Sequence, residues 1–98
     1  MREKEKAVVV SQECIGTGIY SMIIKTKAAD SAVAGQFVSI YCKNKTKLLP
    51  RPISICEIDK ENGTIRIVYR VVGGGTEEMS GYKSGDGIEL IGPLGNGF

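Results

Sequence analysis

Apolar residues in this 98-residue chain recur mostly at every second position, which predicts strands rather than helices. Lys6–Gln12 is a valine-rich first segment. Ile19–Thr26 sets Tyr20, Met22 and Ile24 on one face. In Gln36–Cys42, Val38, Ile40 and Cys42 share a parity. Pro52–Ile58 alternates as a fourth strand, with prolines at its start, where a missing N–H is tolerated. Thr64–Val71 is the clearest strand: Ile65, Ile67, Tyr69 and Val71 face one way, and Thr64, Arg66, Val68 and Arg70 the other. Ile88–Ile91 is the last.

The connections read as turns. Asp30–Gly35 is a loop of small residues, and Lys43–Leu49 is a polar loop. Asp59–Gly63 is a hairpin loop whose Asn62-Gly63 pair favours positive φ. Ser84–Gly87 is a further turn. Thr76–Ser80 predicts one helical turn, with Thr76 as N-cap and Gly81 as stop. Six short strands joined in this way imply an antiparallel barrel or sandwich in one domain. No long helix and no internal repeat is evident.

Composition narrows the chemistry. Valine and isoleucine supply most of the apolar bulk, while aromatics are few: four Tyr, two Phe and no Trp. The net charge is +2, with eight Lys/Arg against four Asp/Glu in residues 1–50 and five against seven in residues 51–98. The basic excess lies in Met1–Lys6 and Lys43–Lys47, read as solvated tail and loop. Nucleic acid is not an expected partner. Histidine is absent, which removes the commonest general base and zinc ligand. Cys14, Cys42 and Cys56 are too scattered for a disulfide framework or a metal centre and are expected as free buried thiols in a reducing cytoplasm. No segment has the length of a signal h-region or a membrane span.

Two stretches carry candidate chemistry. In Arg51-Pro52-Ile53-Ser54, Arg51 suits a phosphate, Pro52 stiffens the backbone, Ile53 offers a planar ring an apolar face, and Ser54 offers it a hydroxyl. The alternative is an edge-strand start with one exposed arginine. In Gly73-Gly74-Gly75-Thr76, the glycines permit close backbone approach, and the following N–H groups form an anion nest. The alternative is a flexible turn. Glu77 and Glu78 must face solvent if an anion binds there. Arg70, just before the glycines, suits the same anion, whereas Arg66 reads as a solvated residue. Neither a P-loop nor a dinucleotide fingerprint is present.

Taken in order, these segments resemble the ferredoxin–NADP reductase superfamily, and within it the electron transfer subunits of dihydroorotate dehydrogenase B. Arg51-Pro52-Ile53-Ser54 is similar to the flavin motif Arg-x-Tyr-Ser. Val68-Tyr69-Arg70 is similar to the second flavin-contacting segment. Gly75-Thr76, followed by Ser80, is similar to the phosphate-binding turn. Gly35-Gln36-Phe37-Val38 is similar to the Pro-Gly-Gln-Phe segment, with Ala34 in place of proline. Gly92-Pro93-Leu94-Gly95-Asn96-Gly97-Phe98 is similar to the junction with a nicotinamide domain. Ile53 replaces the ring-stacking tyrosine of the wider superfamily, as in the dihydroorotate subunits.

The resemblance implies an all-β fold: a six-stranded antiparallel Greek-key barrel with one short helical turn, holding FAD. Arg51 would meet its phosphates, Ser54 its isoalloxazine near the reactive nitrogen, and Gly75 and Thr76 its pyrophosphate. Pro52, Ile53, Val68, Tyr69 and Arg70 would complete the site. It also implies a cytoplasmic complex of pyrimidine biosynthesis, in which an FMN-bearing catalytic subunit passes electrons through a 2Fe-2S cluster to this FAD and on to NAD. The nicotinamide domain and the cluster cysteines are not within residues 1–98. The chain is therefore expected to be one FAD-binding domain of a longer protein, inactive by itself. Two alternatives are a reductase subunit of sulfide or glutamate synthase type, and a small barrel that binds single-stranded nucleic acid through basic grooves and stacking aromatics.

Overall fold

The computed structural model describes residues 4–41, 51–72 and 74–95. Six strands form a closed antiparallel barrel: β1 (Glu5–Gly16), β2 (Ile19–Lys25), β3 (Phe37–Tyr41), β4 (Arg51–Asp59), β5 (Thr64–Arg70) and β6 (Gly87–Leu94). Their order around the barrel is β1-β2-β5-β4-β3-β6, the Greek-key barrel that the resemblance implies. Closure pairs each described strand with a neighbour on both sides, although β4 meets β5 over only part of its length. A short 3-10 helix (Lys27–Asp30) follows β2, and one α-helix, α1 (Gly74–Met79), joins β5 to β6.

The period-two pattern becomes the inside and outside of the barrel. Met22 and Ile24 on β2, Val38 and Ile40 on β3, and Ile65 and Ile67 on β5 are all buried in the centre. Burying each isoleucine contributes about 1.5–3 kcal/mol, so the core rests on these interior rows. The same alternation corrects the cysteine expectation. Ile55 points inward, which turns Cys56 outward, and both Cys56 and Cys14 are exposed rather than buried. Cys42 and the Lys43–Leu49 loop lie outside the described residues, as do Gly73 and Asn96–Phe98.

Three boundaries differ from the sequence pattern. β1 continues four residues past Gln12, as far as Gly16, with bulges at Val9/Ser11 and Cys14/Gly16 that let one strand turn the barrel corner. The start of the expected 30–35 loop is helical, because the Thr26 side chain caps the 3-10 turn by accepting from the Ala28 N–H. Glu5 braces that cap, accepting from the Thr26 hydroxyl and the Lys27 N–H. Finally, α1 begins at Gly74, so Thr76 is its third residue and not its N-cap. Its Oγ1 instead accepts from the Val72 N–H at 2.9 Å and holds the entry to the helix.

The β4–β5 hairpin closes as its turn residues predict. Gly63 has φ +69°, and the Asp59 carboxylate accepts from both the backbone and the side-chain N–H of Asn62. These bonds hold the Asp59 carboxyl below its usual pKa. A depressed folded-state pKa stabilises the fold above the unfolded value, and that stability is lost as pH falls through the folded value. Asp59→Ala is expected to lower the urea midpoint at pH 7, and its deficit should shrink as pH drops below about 3.9. At β6, a Cβ on Gly92 would lie 2.7 Å from Val38 Cγ1 and 3.3 Å from both Phe37 O and Val38 Cα. Two of these atoms are backbone and cannot yield. Gly92→Val is expected to cost about 1–3 kcal/mol, read as a lower urea midpoint with an unchanged m-value.

Candidate functional site

The site arises where β4 changes neighbours. From Asp59↔Thr64 to Ile55↔Ile67, β4 pairs with β5, and there the described ladder ends beside a bulge. From Ser54 to Arg51, β4 pairs with β3 alone. Meanwhile β5 stays fastened to β2 along its whole length, from Lys25↔Thr64 to Ile19↔Arg70, and Val71 N–H reaches Gly18 O at 2.8 Å. The start of β4 and the end of β5 therefore part, leaving a groove of about 360 Å³ between them. That volume is in the range of small-molecule sites.

Backbone alternation sets which groups face the gap. The Ile55 N–H donates to Gln36 O, so Ile55 and Ile53 direct their backbone groups at β3. Pro52 and Ser54, of the opposite parity, direct theirs toward the groove. Pro52 has no N–H to leave unpaired there, which is the physical use of a proline at this position.

The groove is lined on one side by Arg51, Pro52, Ile53 and Ser54, and on the other by Val68, Tyr69 and Arg70, with Thr76 closing one end. Two segments far apart in sequence, each ambiguous alone, thus form one surface. Gly75 belongs to the adjoining first turn of α1. Val72, 68% exposed, completes the lining; its position between Arg70 and the glycines is the feature that sequence reasoning passed over.

The contributions are unequal. Pro52 and Ser54 are exposed, but Ile53 is only 8% exposed and belongs mainly to the core. Tyr69 also points inward. Its ring stacks on Tyr20 at 5.9 Å and its hydroxyl donates to the Gln12 side chain. Burial, aided by Tyr20, raises the Tyr69 pKa and keeps the phenol neutral. Arg51 and Arg70 form no ion pair among the described residues, so both leave positive charge at the groove. Arg66 differs: its Nε donates to Ser21 Oγ at 2.8 Å and its guanidinium meets Glu57 at 3.6 Å. It is braced on β5 and does not line the groove.

The two acidic residues of α1 do not line the groove. Glu77 is exposed, and Glu78 accepts from the Tyr82 hydroxyl. The Ser80 hydroxyl donates to Glu77 O at 2.7 Å, closing the end of the helix. A larger hollow of about 680 Å³ lies beside the hairpin, but Glu57, Asp59 and Glu61 crowd it with carboxylates. Lys60 and Arg66 line the same hollow but are outnumbered by the carboxylates, so an anionic ligand is favoured more in the arginine-flanked groove. No group of three metal-ligating side chains occurs among the described residues.

Known proteins resemble this chain over nearly its whole length. The chain is 44% identical over 95 residues to the dihydroorotate dehydrogenase B (NAD(+)) electron transfer subunit of Streptococcus mutans, covering 97% of this chain and 37% of that protein. It is 41% identical over 98 residues to the protein of the same name from Enterococcus faecalis, covering 99% of this chain and 37% of the relative. The chain thus spans little more than a third of the length of these relatives. Among solved structures, the NADH-dependent reduced ferredoxin-NADP oxidoreductase superimposes with a TM-score of 0.86 at 32% identity, over 93% of this chain and 33% of that one. The ferredoxin reductase of carbazole 1,9a-dioxygenase, with a TM-score of 0.83 at 22% identity over 96% of this chain and 30% of that one, shares the fold. Residues 6–98 match the family described as the oxidoreductase FAD-binding domain, and the chain belongs to that family.

Proposed function

We propose that this chain is the FAD-holding barrel of a dihydroorotate dehydrogenase B electron transfer subunit, part of a cytoplasmic complex that carries electrons from dihydroorotate oxidation to NAD. The observation that carries the reading is the groove itself, where the parting of β4 from β5 brings Arg51–Ser54, Val68–Arg70 and Thr76 onto one surface. The names of relatives about 40% identical support the choice of complex. The partner would be the FMN-bearing catalytic subunit. The 2Fe-2S cluster and the nicotinamide site would belong to residues beyond those matched here.

The residues present fit FAD. Its anionic diphosphate needs fixed positive charge, which Arg51 and Arg70 supply without a competing ion pair among the described residues. Gly75 and Thr76 would add backbone N–H groups of the first turn of α1. Ser54, exposed on the groove wall, would place its hydroxyl at the isoalloxazine edge. Pro52 and Val72 offer exposed apolar surface, while Ile53 and Val68 form the floor between the two strands. When bound, FAD supplies the exchange between one-electron and two-electron steps. The chain would hold the ring, neutralise the phosphates and exclude water from the face against the barrel.

No helix among the described residues is long and apolar enough to cross a membrane. Titrating the chain with FAD is expected to quench flavin fluorescence to saturation. Arg51→Ala and Gly75→Val should each weaken binding about tenfold or more while far-UV circular dichroism is unchanged. Arg66→Gln should leave FAD affinity within about twofold, since its bonds go to Ser21 and Glu57. Failure of the parent to bind at high FAD concentration would overturn the flavin reading; equal binding by parent, Arg51→Ala and Gly75→Val would overturn the site.

A further inference from the structure

Gln12 lies outside every motif in the sequence and does not line the groove. Yet its side chain joins three elements. From β1, Nε2 donates to Met79 O and to Tyr82 O, both at 2.9 Å. Its Oε1 accepts from the Tyr69 hydroxyl. The two carbonyls can only accept, so the nitrogen end of the amide must face them. Both amide hydrogens and the amide oxygen are then engaged.

The consequence is mechanical. α1 has only six residues and is too short to persist without tertiary contacts. The turn that ends it is closed by the Gly81 N–H on Glu78 O and the Tyr82 N–H on Met79 O. Gln12 ties that turn to β1 by donating to Met79 O and Tyr82 O, while the Thr76 Oγ1 bond to the Val72 N–H secures the other end. Through Tyr69 the same amide also grips the end of β5, between the groove residues Val68 and Arg70. The wall that includes Val68, Tyr69, Arg70, Val72 and Thr76 is thus held through Tyr69 and α1 by a side chain that does not itself line the groove.

We propose that Gln12 is a positioning residue for the cofactor groove, locking α1 and the end of β5 into one rigid wall opposite Arg51–Ser54. This rests on the flavin reading above. A loosened wall binds FAD less tightly, because ordering it must then accompany binding.

The test compares Gln12→Leu, Gln12→Glu and Tyr69→Phe with the parent, at a temperature where each is fully folded. FAD affinity is read by fluorescence, and the bound ring by its visible circular dichroism. Gln12→Leu should weaken FAD binding about tenfold and alter the visible dichroism of the bound flavin. Gln12→Glu preserves an acceptor for Tyr69 but sets a carboxylate against two carbonyls, so it should not rescue. Tyr69→Phe loses one bond of the three and should fall between parent and Gln12→Leu. Affinity within twofold of the parent for Gln12→Leu, or full rescue by Gln12→Glu, overturns the proposal. If Gln12→Leu does not fold, unchanged affinity and dichroism in Tyr69→Phe overturn it. A parent that takes up no FAD overturns the flavin reading, and this inference with it; a parent that binds normally beside equally tight variants overturns this inference alone.

Discussion

A strand in a closed barrel must satisfy backbone groups on both of its edges, and β4 does so with β5 over only part of its length. Beyond Ile55↔Ile67 it keeps β3 and leaves β5. The groove between Arg51–Ser54 and Val68–Arg70 follows from that parting. Were the ladder to continue in register, Ser54 would face Val68 and Pro52 would face Arg70, and a sheet would fill the place of the groove. A proline on the β5 side of that segment removes one donor the ladder would need. The barrel survives the gap because β5 is held by β2 from end to end and the core beneath is continuous.

Charge then sets the gap apart from the larger hollow of the barrel. Among the described residues Arg66 is committed to Ser21 and Glu57, whereas Arg51 and Arg70 flank the groove without an ion pair. The hairpin hollow is larger but carries carboxylates, so size and electrostatics point to different places. For a ligand with two phosphates, electrostatics decides. The acidic residues of α1, so close in sequence to the glycines, do not line the groove, and Glu78 is turned to Tyr82.

How far the sequence revealed this depended on the range of each interaction. β2 and β5 were legible because Met22, Ile24, Ile65 and Ile67 mark one face by strict alternation. The Asn62-Gly63 turn was legible because its chemistry is local. The start of α1 was misplaced because the Thr76 hydroxyl, a usual N-cap group, instead accepts from Val72 four residues earlier. Cys56 was misjudged because thiols are commonly buried, and here strand parity overrode that tendency. The role of Gln12 could not be read at all: its partners lie 57, 67 and 70 residues away, and only barrel closure brings them together. The groove residues were found through their order and resemblance, but their convergence is a property of the β4–β5 parting.

The most direct measurement is a residue-by-residue backbone amide map of the chain by NMR, recorded with and without FAD. FAD is expected to shift and protect the amides of Ser54, Val68–Val72 and Gly74–Thr76, while those of the closed β4–β5 ladder near Ile58 and Ile65 stay unchanged. Shifts confined to the hairpin hollow around Glu57, Asp59 and Lys60, with Ser54 and Arg70 unaffected, would contradict the account.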